Sequence, residues 1–295
     1  MKIFVSGGTG FVGGHVCRAL REEGHELRLL VHHRRDTAEN SIEYVAGDVT
    51  RQESFLAAMS GCDAVINLVG IIREVPSKGI TFERLHVQAT VNMLAAARKN
   101  GVSRYLQMSA LGTRFDAVSN YHRTKWQAEE SVRSSGLEWT IFRPSLIFGS
   151  QDAFVNMLAL QLRHTPVMPV IGAGSYRLQP IHADDVARCF GLALRMPETV
   201  GQTYELCGND RLTYNELLDT IAAAIGKAPP LKPRAPLGLM KLVIPLMQKI
   251  PQFPITMDQL QMLLEESIGD SEWRKVFKFE PRGFKEGIAE YLHKT

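Results

Sequence analysis

KIFVSGGTGFVGG, at residues 2–14, is the most informative stretch of this sequence. Its apolar residues 3–5 predict a strand, its glycines predict a tight turn, and residues 16–21 can form a helix. Because glycine has no Cβ, such a turn lets the backbone approach a pyrophosphate closely, and the helix N-terminus adds unpaired N–H groups that attract an anion. The order strand, glycine turn, helix therefore predicts a dinucleotide-binding unit.

The glycines follow a GxxGxxG spacing, which differs from the GxGxxG of the two-domain dehydrogenases. Gly7 and Gly10 would carry the turn beneath the phosphates, and Gly13 would let the helix pack closely on the strand. An ordinary Gly-rich turn is the alternative, but the strand before it and the helix after it favour a nucleotide site. The expected contacts in this turn are Gly7, Thr9, Gly10, Phe11, Val12 and Gly13.

The composition is typical of a globular protein, with 45% hydrophobic and 22% charged residues. A net charge of +3 gives no argument for a nucleic-acid partner. The four cysteines are far apart and lack the spacing of a metal site, so we expect no metal and a reducing, cytoplasmic compartment. Because the first strand begins at residue 2, we expect no signal peptide, and no later apolar stretch is long enough to predict a transmembrane helix.

Strands and helices alternate through the first half of the chain. Further strands are predicted at residues 26–31, 42–46, 64–69, 104–108 and 139–143, with helices at 50–59 and 82–99. This alternation predicts an α/β fold with a Rossmann-type, doubly wound parallel sheet. From about residue 151 it weakens, so we expect an NAD(P)-binding domain at 1–150 and a smaller α+β lobe for substrate or partner at 151–295, interleaved with the first.

The end of the second strand is where such a fold selects its cofactor. An acidic residue there binds the ribose 2′-hydroxyl of NAD, but this sequence has His32, His33, Arg34 and Arg35. A 2′-phosphate would find cations at this place, and Arg34 or Arg35 would form charge-assisted hydrogen bonds to it. NADP is therefore favoured over NAD, with a solvated basic loop as the alternative.

Tyr121 and Lys125 are four residues apart in NYHRTKWQAEE, which reads as a helix, so their side chains share one face. A tyrosine has an ordinary pKa of about 10 and is a poor acid or base at neutral pH. A neighbouring ammonium would lower that pKa by stabilising the phenolate. We therefore expect Tyr121 to transfer a proton while Lys125 tunes it and holds a ribose.

Together, VSGGTGFVGGHV, the YxxxK pair and RPSLIFG resemble the extended and atypical short-chain dehydrogenase/reductase families, which include the NAD-dependent epimerase/dehydratase group. That resemblance implies further cofactor contacts. Asp48 and Val49 would lie beside the adenine, the main chain of Leu68, Val69 and Gly70 would follow the ribose, and Pro144 and Leu146 would lie near the nicotinamide.

The sequence departs from the family pattern at the catalytic hydroxyl. Aligned on Gly101 and Val102, the family's serine or threonine falls on Ala110, one place after Ser109. Ser109, or Thr113, would then supply the hydroxyl, or the site would retain the cofactor without reducing anything.

SALG, YxRTKxxAE and the late PITMDQLQMLLEE resemble the atypical branch that includes the NADPH-binding accessory subunit of respiratory complex I and its bacterial relatives. This resemblance implies an NADP-dependent oxidoreductase for a small apolar or quinone-like carbonyl substrate, or a non-catalytic NADPH-binding assembly protein of a membrane respiratory complex. It also implies association at the inner face of the membrane and a homodimer. Residues 231–255 are apolar and basic, and we interpret them as core, as a partner or membrane surface, or as a substrate lid.

Overall fold

The computed structural model describes residues 1–32, 41–248 and 255–293. Packing divides the chain into two units. Unit 1 comprises Met1–Pro144 and Asp184–Glu205, and unit 2 comprises Ser145–Ala183 and Leu206–Thr295. The division after Pro144 falls shortly before the boundary expected at residue 150, and 184–205 return to unit 1.

The described strands are β1 (Lys2–Ser6), β2 (Glu26–Val31), β3 (Ile42–Ala46), β4 (Ala64–Asn67), β5 (Arg104–Met108), β6 (Glu138–Pro144), β7 (Ile147–Phe148), β8 (Val170–Ile171), β9 (Arg177–Leu178), β10 (Ile181–His182), β11 (Gln202–Leu206), β12 (Leu212–Thr213) and β13 (Arg234–Ala235). The described α-helices are α1 (Phe11–Glu22), α2 (Ala89–Lys99), α3 (Asn120–Arg133), α4 (Ala153–His164), α5 (Ala183–Ala193), α6 (Tyr214–Ala224), α7 (Leu237–Met247), α8 (Met257–Leu264), α9 (Trp273–Phe277) and α10 (Phe284–Leu292). In these ranges, no helix combines the length and apolarity needed to cross a bilayer.

One sheet organises unit 1, in the strand order β3-β2-β1-β4-β5-β6-β11. The five pairings from β3 to β6 are all parallel. The apolar run of β1 is fully buried, at Ile3, Phe4 and Val5, as expected for a strand covered on both faces. The predicted Rossmann-type sheet is therefore confirmed, and its strand order reverses between β1 and β4, where such folds bind their ligands.

Two of the predicted helices differ in the structure. The helix expected at residues 50–59 is replaced by two 3₁₀ turns, Gln52–Ser54 and Ala57–Met59. The Thr50 hydroxyl donates to Asp48 Oδ1 at 2.8 Å, which leaves the first of these turns without a side-chain cap. The helix expected at 82–99 begins as a π-helical turn, Glu83–Gln88, and becomes α-helical only at α2.

Unit 2 is an α+β lobe with short strand pairs. β7 pairs with β10 and β8 with β13 in parallel, and β9 pairs with β12 in antiparallel fashion. Its apolar core joins Phe148 to residues of α4, α6 and α10, among them Leu158, Leu217 and Ile288. The predicted smaller α+β lobe is confirmed.

The two adjacent glycines of α1 provide a stability test with its own control. A Cβ at Gly13 would lie 2.2 Å from the Gly7 carbonyl oxygen, whereas a Cβ at Gly14 meets nothing within 4 Å. We expect Gly13→Ala to lower the free energy of unfolding by about 3 kcal/mol or more, because backbone cannot yield as a side chain can. Gly14→Ala should change it by about 1 kcal/mol or less, in the stabilising direction.

Urea denaturation followed by circular dichroism measures both variants. Equal midpoints for the two would show that α1 does not pack on Gly7 and Gly8 at the distance described.

Candidate functional site

The glycine turn after β1 is built from contacts that exclude side chains. Gly7 has a φ of +75°, and a Cβ there would lie 2.8 Å from the carbonyl carbon of Leu68 at the end of β4. The Gly10 N–H donates to the Gly7 carbonyl at 3.1 Å, which closes the turn. Gly13 lies directly over Gly7 and Gly8. Gly13 thus packs closely, as predicted, although on Gly7 and Gly8 of the turn. The positions of Gly7 and Gly10 beneath a pyrophosphate stay predictions.

The N-terminus of α1 opens from this turn. Gly10 is its N-cap, no side chain caps it, and its first turn contains no acidic residue. Thr9 and Gly10 are exposed, and Phe11 and Val12 are half-buried. The helix dipole and the unpaired N–H groups of this end favour an anion.

The ends of β2 and β3 hold the residues expected beside the adenosine. His32 is exposed at the end of β2. Arg34 and Arg35 lie outside the described residues, so their role stays a prediction. Val49 is buried in the unit 1 core, with its carbonyl accepting from Asn92 Nδ2 at 2.9 Å.

Asp48 is fixed by Thr50, whose N–H and hydroxyl both donate to Oδ1 at 2.8 Å. Partial burial opposes ionisation of Asp48, but these bonds and the charges of His32 and Arg84 outweigh it and lower the pKa. Asp48 is thus a fixed carboxylate at the end of β3.

Asn67 joins three strand ends in a buried network that the sequence reasoning missed. Its Oδ1 accepts from Ser6 Oγ at 2.8 Å, and its Nδ2 donates to Gln107 Oε1 at 3.1 Å. The same Oδ1 accepts the Val69 N–H at 3.2 Å, which turns the chain out of the sheet two residues before the predicted strand end. The sequence feature that could have indicated this network is the single polar residue inside the apolar run AVINLV.

Lys125 brings a buried ammonium to this edge of the sheet. It lies on α3, and its Nζ is 3.3 Å from the Met108 carbonyl oxygen and 3.5 Å from that of Val69. A Cβ at Gly70 would lie 2.9 Å from Nζ, so a side chain at position 70 would displace the ammonium from this place. Burial lowers the pKa of Lys125 to about 8, against a smaller opposite effect of Glu129.

Tyr121 lies one turn before Lys125 on α3, which confirms the predicted helix. Its ring packs edge-to-face against Phe82, His86 and His122. Burial raises the pKa of Tyr121 to about 12. The expected lowering of this pKa by Lys125 is therefore wrong, because desolvation of the phenol dominates.

His86 forms part of the same cluster. It is 1% exposed, its Nδ1 lies 2.9 Å from Thr124 Oγ1, and its Nε2 lies 3.2 Å from the carbonyl oxygen of Ile71. Burial and the charge of Lys125 lower its pKa to about 2, so the imidazole is neutral at physiological pH. It sits on the π-helical turn, a feature that is frequent at functional sites.

Ser109 is engaged in a buried ionic network. Its Oγ donates to Glu129 Oε1 at 2.5 Å, and it lies 3.4 Å from Thr113 Oγ1. Arg143 donates two hydrogen bonds to the same carboxylate, from Nε to Oε1 at 2.8 Å and from Nη2 to Oε2 at 2.6 Å. Ala110 is buried and offers no hydroxyl. The sequence feature that could have indicated this network is Glu129, which follows Lys125 by four residues on one helix face.

The two residues expected near the nicotinamide lie in different units. Pro144 is buried at the end of β6 in unit 1, and its carbonyl accepts from the Leu111 N–H at 2.9 Å. Leu146 is half-buried in unit 2, against the core of that unit. Their contacts with a cofactor stay predictions. Among the described residues, no three His, Cys, Asp or Glu side chains group as metal ligands.

Known proteins resemble this chain in sequence. The sequence profile of the NAD dependent epimerase/dehydratase family matches residues 3–207. The mitochondrial NADH dehydrogenase [ubiquinone] 1 alpha subcomplex subunit 9 of Arabidopsis thaliana is 30% identical over 235 residues, which cover 76% of this chain and 58% of the relative. The ceramide reductase of Caulobacter vibrioides is 29% identical over 232 residues, 77% of this chain and 71% of the relative.

Among solved structures, the UDP-glucose 4-epimerase of Thermotoga maritima with UDP-glucose superposes with a TM-score of 0.78 at 19% identity, over 100% of this chain and 99% of that one. This likeness shows the fold. The match spans about three fifths of the length of several curated relatives.

Lys125 predicts a pH dependence of stability. In the folded chain burial lowers its pKa from 10.5 to about 8, whereas the unfolded chain keeps the ordinary value. Between these values the unfolded chain binds more protons, so stability rises with pH in this window. From pH 7 to 9.5 the free energy of unfolding of the wild type should gain about 2 kcal/mol relative to Lys125→Met.

Urea titrations at the two pH values measure this difference. The control is Lys285→Met, which removes an exposed lysine of α10 and should give no such gain. A constant difference between wild type and Lys125→Met would mean that the ammonium is solvated.

Proposed function

The chain belongs to the NAD dependent epimerase/dehydratase family, and from this premise we propose that it is an NADP-dependent oxidoreductase for a small apolar or quinone-like carbonyl compound. One observation carries the proposal. Lys125 holds a desolvated ammonium at the ends of β4 and β5, in the same helix face as Tyr121 and in the same unit as the glycine turn. Among the described residues no carboxylate forms an ion pair with this ammonium, and a buried cation without such a partner costs stability, which favours a role in binding a ligand.

The residues present fit a dinucleotide. Gly7 and Gly13 permit the close backbone packing that shapes the turn, and Thr9 and Gly10 are exposed on it. The start of α1 has no side-chain cap, so its N–H groups favour an anion. We assign the pyrophosphate to the turn residues 7–13, the adenosine to Asp48 and Val49, and the ribose to Lys125 with the main chain of residues 68–70. When bound, the nicotinamide supplies or accepts the hydride.

The preference for NADP rests on charge. His32 is exposed at the end of β2, and Arg34 and Arg35 follow it in the sequence without an acidic residue at the place that would bind a 2′-hydroxyl. A 2′-phosphate would gain charge-assisted hydrogen bonds from either arginine.

Tyr121 supplies the proton in this proposal. Because its pKa is raised to about 12, the phenol is protonated at neutral pH and is ready to donate. It would give that proton to the substrate oxygen as a carbonyl is reduced to a hydroxyl, and solvent would restore it. The neutral His86 packs against the phenol ring and keeps the cluster free of a second charge. A protonated phenol is the form that carbonyl reduction requires.

The substrate class is supported by one relative, which is named as a reductase of ceramide. A carbonyl on an apolar molecule suits a site whose tyrosine is enclosed by Phe82, His86 and His122. Sugar nucleotides are less favoured, since the second half of the sequence contains no dedicated diphosphate-binding motif.

A second function is favoured by the position of Ser109. Its hydroxyl is held by Glu129, and Ala110 occupies the place of the family's catalytic hydroxyl. A site without that hydroxyl would bind NADPH for stability alone. Relatives named as subunits of NADH dehydrogenase support this alternative, in which the chain is a non-catalytic assembly protein of a membrane respiratory complex.

Tyr121→Phe separates the two functions. For the oxidoreductase we expect NADPH-dependent reduction in a panel of quinones and apolar ketones to fall about a hundredfold or more, because the proton donor is lost. NADPH affinity should be retained. The control is Tyr44→Phe, which changes a half-buried tyrosine of β3 and should keep full activity.

Absorbance at the NADPH band measures turnover. If the wild type binds NADPH and reduces nothing in the panel, the assembly function stands and the oxidoreductase is excluded for those substrates.

A further inference from the structure

Helix α7 of unit 2 presents an apolar face outward. Leu239, Leu242 and Leu246 are 54%, 69% and 72% exposed, although each is a large hydrophobic residue. Their spacing of three and four residues places them on one side of the helix. Only Ile244 of this helix is fully buried. Such a contiguous exposed face marks an interaction surface.

The stretch of sequence that contains α7 carries charges of one sign. From residue 220 to residue 257 the sequence contains no Asp or Glu. Every charged residue in that stretch is a cation: Lys227, Lys232, Arg234, Lys241 and Lys249. Of these, Lys232 is paired, with Asp219, and Arg234 and Lys241 are exposed. A second copy of the chain would bring like charges together, whereas an anionic surface would be attracted.

A cavity of unit 2 is lined in part by residues 227–230, which precede Leu231 in the chain. It has a volume of about 340 Å³, and its lining includes Arg163, His164 and Lys227. Leu231, which is 69% exposed, follows directly and donates its N–H to the Pro166 carbonyl at the cavity edge. Exposed leucine and cationic side chains therefore alternate from the cavity to α7.

We propose that α7 and Leu231 form an interfacial surface that binds anionic phospholipid bilayers. The leucines would enter the boundary between headgroups and acyl chains, and the cations would meet the lipid phosphates. With its eleven residues α7 is suited to lie in the plane of the membrane. This inference goes beyond the proposed function, because it requires neither catalysis nor cofactor binding.

Vesicle co-sedimentation of the full chain tests the surface. The vesicles contain equal parts of phosphatidylcholine and phosphatidylglycerol, or phosphatidylcholine alone. We expect binding to the anionic vesicles that weakens at high salt, and a loss of about tenfold or more in Leu239→Ser/Leu242→Ser. The matched control is Met157→Ser/Leu160→Ser, which removes two exposed apolar side chains of α4 at the same spacing.

Folding of each variant is checked by its urea midpoint, which should equal that of the wild type because the changed side chains are exposed. Absence of wild-type binding to anionic vesicles, or an equal loss in both double variants, overturns the proposal. A wild-type dimer in analytical ultracentrifugation that Leu239→Ser/Leu242→Ser dissociates would also overturn it, since a second copy would then cover the face.

Discussion

The close packing of α1 on the glycine turn that follows β1 is the constraint on which the rest of unit 1 depends. At Gly13 the two backbones approach so closely that a Cβ would overlap the Gly7 carbonyl. This contact brings the N-terminus of α1 to the carboxyl end of β1, where the strand order reverses toward β4. Gly7 in turn lies against the Leu68 backbone, so the first residues beyond β4 are held at the same place. These contacts fix the place of the proposed nucleotide site.

Desolvation governs the chemistry of the groups gathered there. Lys125 and Tyr121 are both buried, and burial disfavours the charged form of each, so one pKa falls and the other rises. Glu129 is fully buried as well, but its charge is met by Arg143 and by the Ser109 hydroxyl. The carboxylate is thus satisfied within the fold, whereas the hydrogen bonds of the ammonium in the described residues run to two carbonyl oxygens. Glu129 is therefore part of a structural ion pair, whereas Lys125 is suited to binding a ligand.

Sequence periodicity and turn chemistry were sufficient to predict the strands of the sheet. β2, β3 and β5 have the predicted bounds because short apolar runs bounded by glycines or polar residues leave little choice. What could not be predicted depends on contacts between distant segments. The Ser109 hydroxyl is held by a carboxylate twenty residues away, and β4 ends early because the Asn67 side chain takes the Val69 N–H. The pKa of Tyr121 depends on how many groups surround it, which no spacing of residues reveals.

The central claim is that the glycine turn binds a dinucleotide and that NADP is preferred. Fluorescence titration with NADPH and with NADH tests it on the wild type, Gly10→Ala and Arg34→Ala. A methyl at Gly10 meets the fold at an ordinary 3.4 Å, so we expect an unchanged unfolding midpoint but weaker binding of both nucleotides. Arg34→Ala should weaken NADPH alone, by about tenfold to a hundredfold. Binding of neither nucleotide by the wild type, or unchanged binding by Gly10→Ala, would contradict the account.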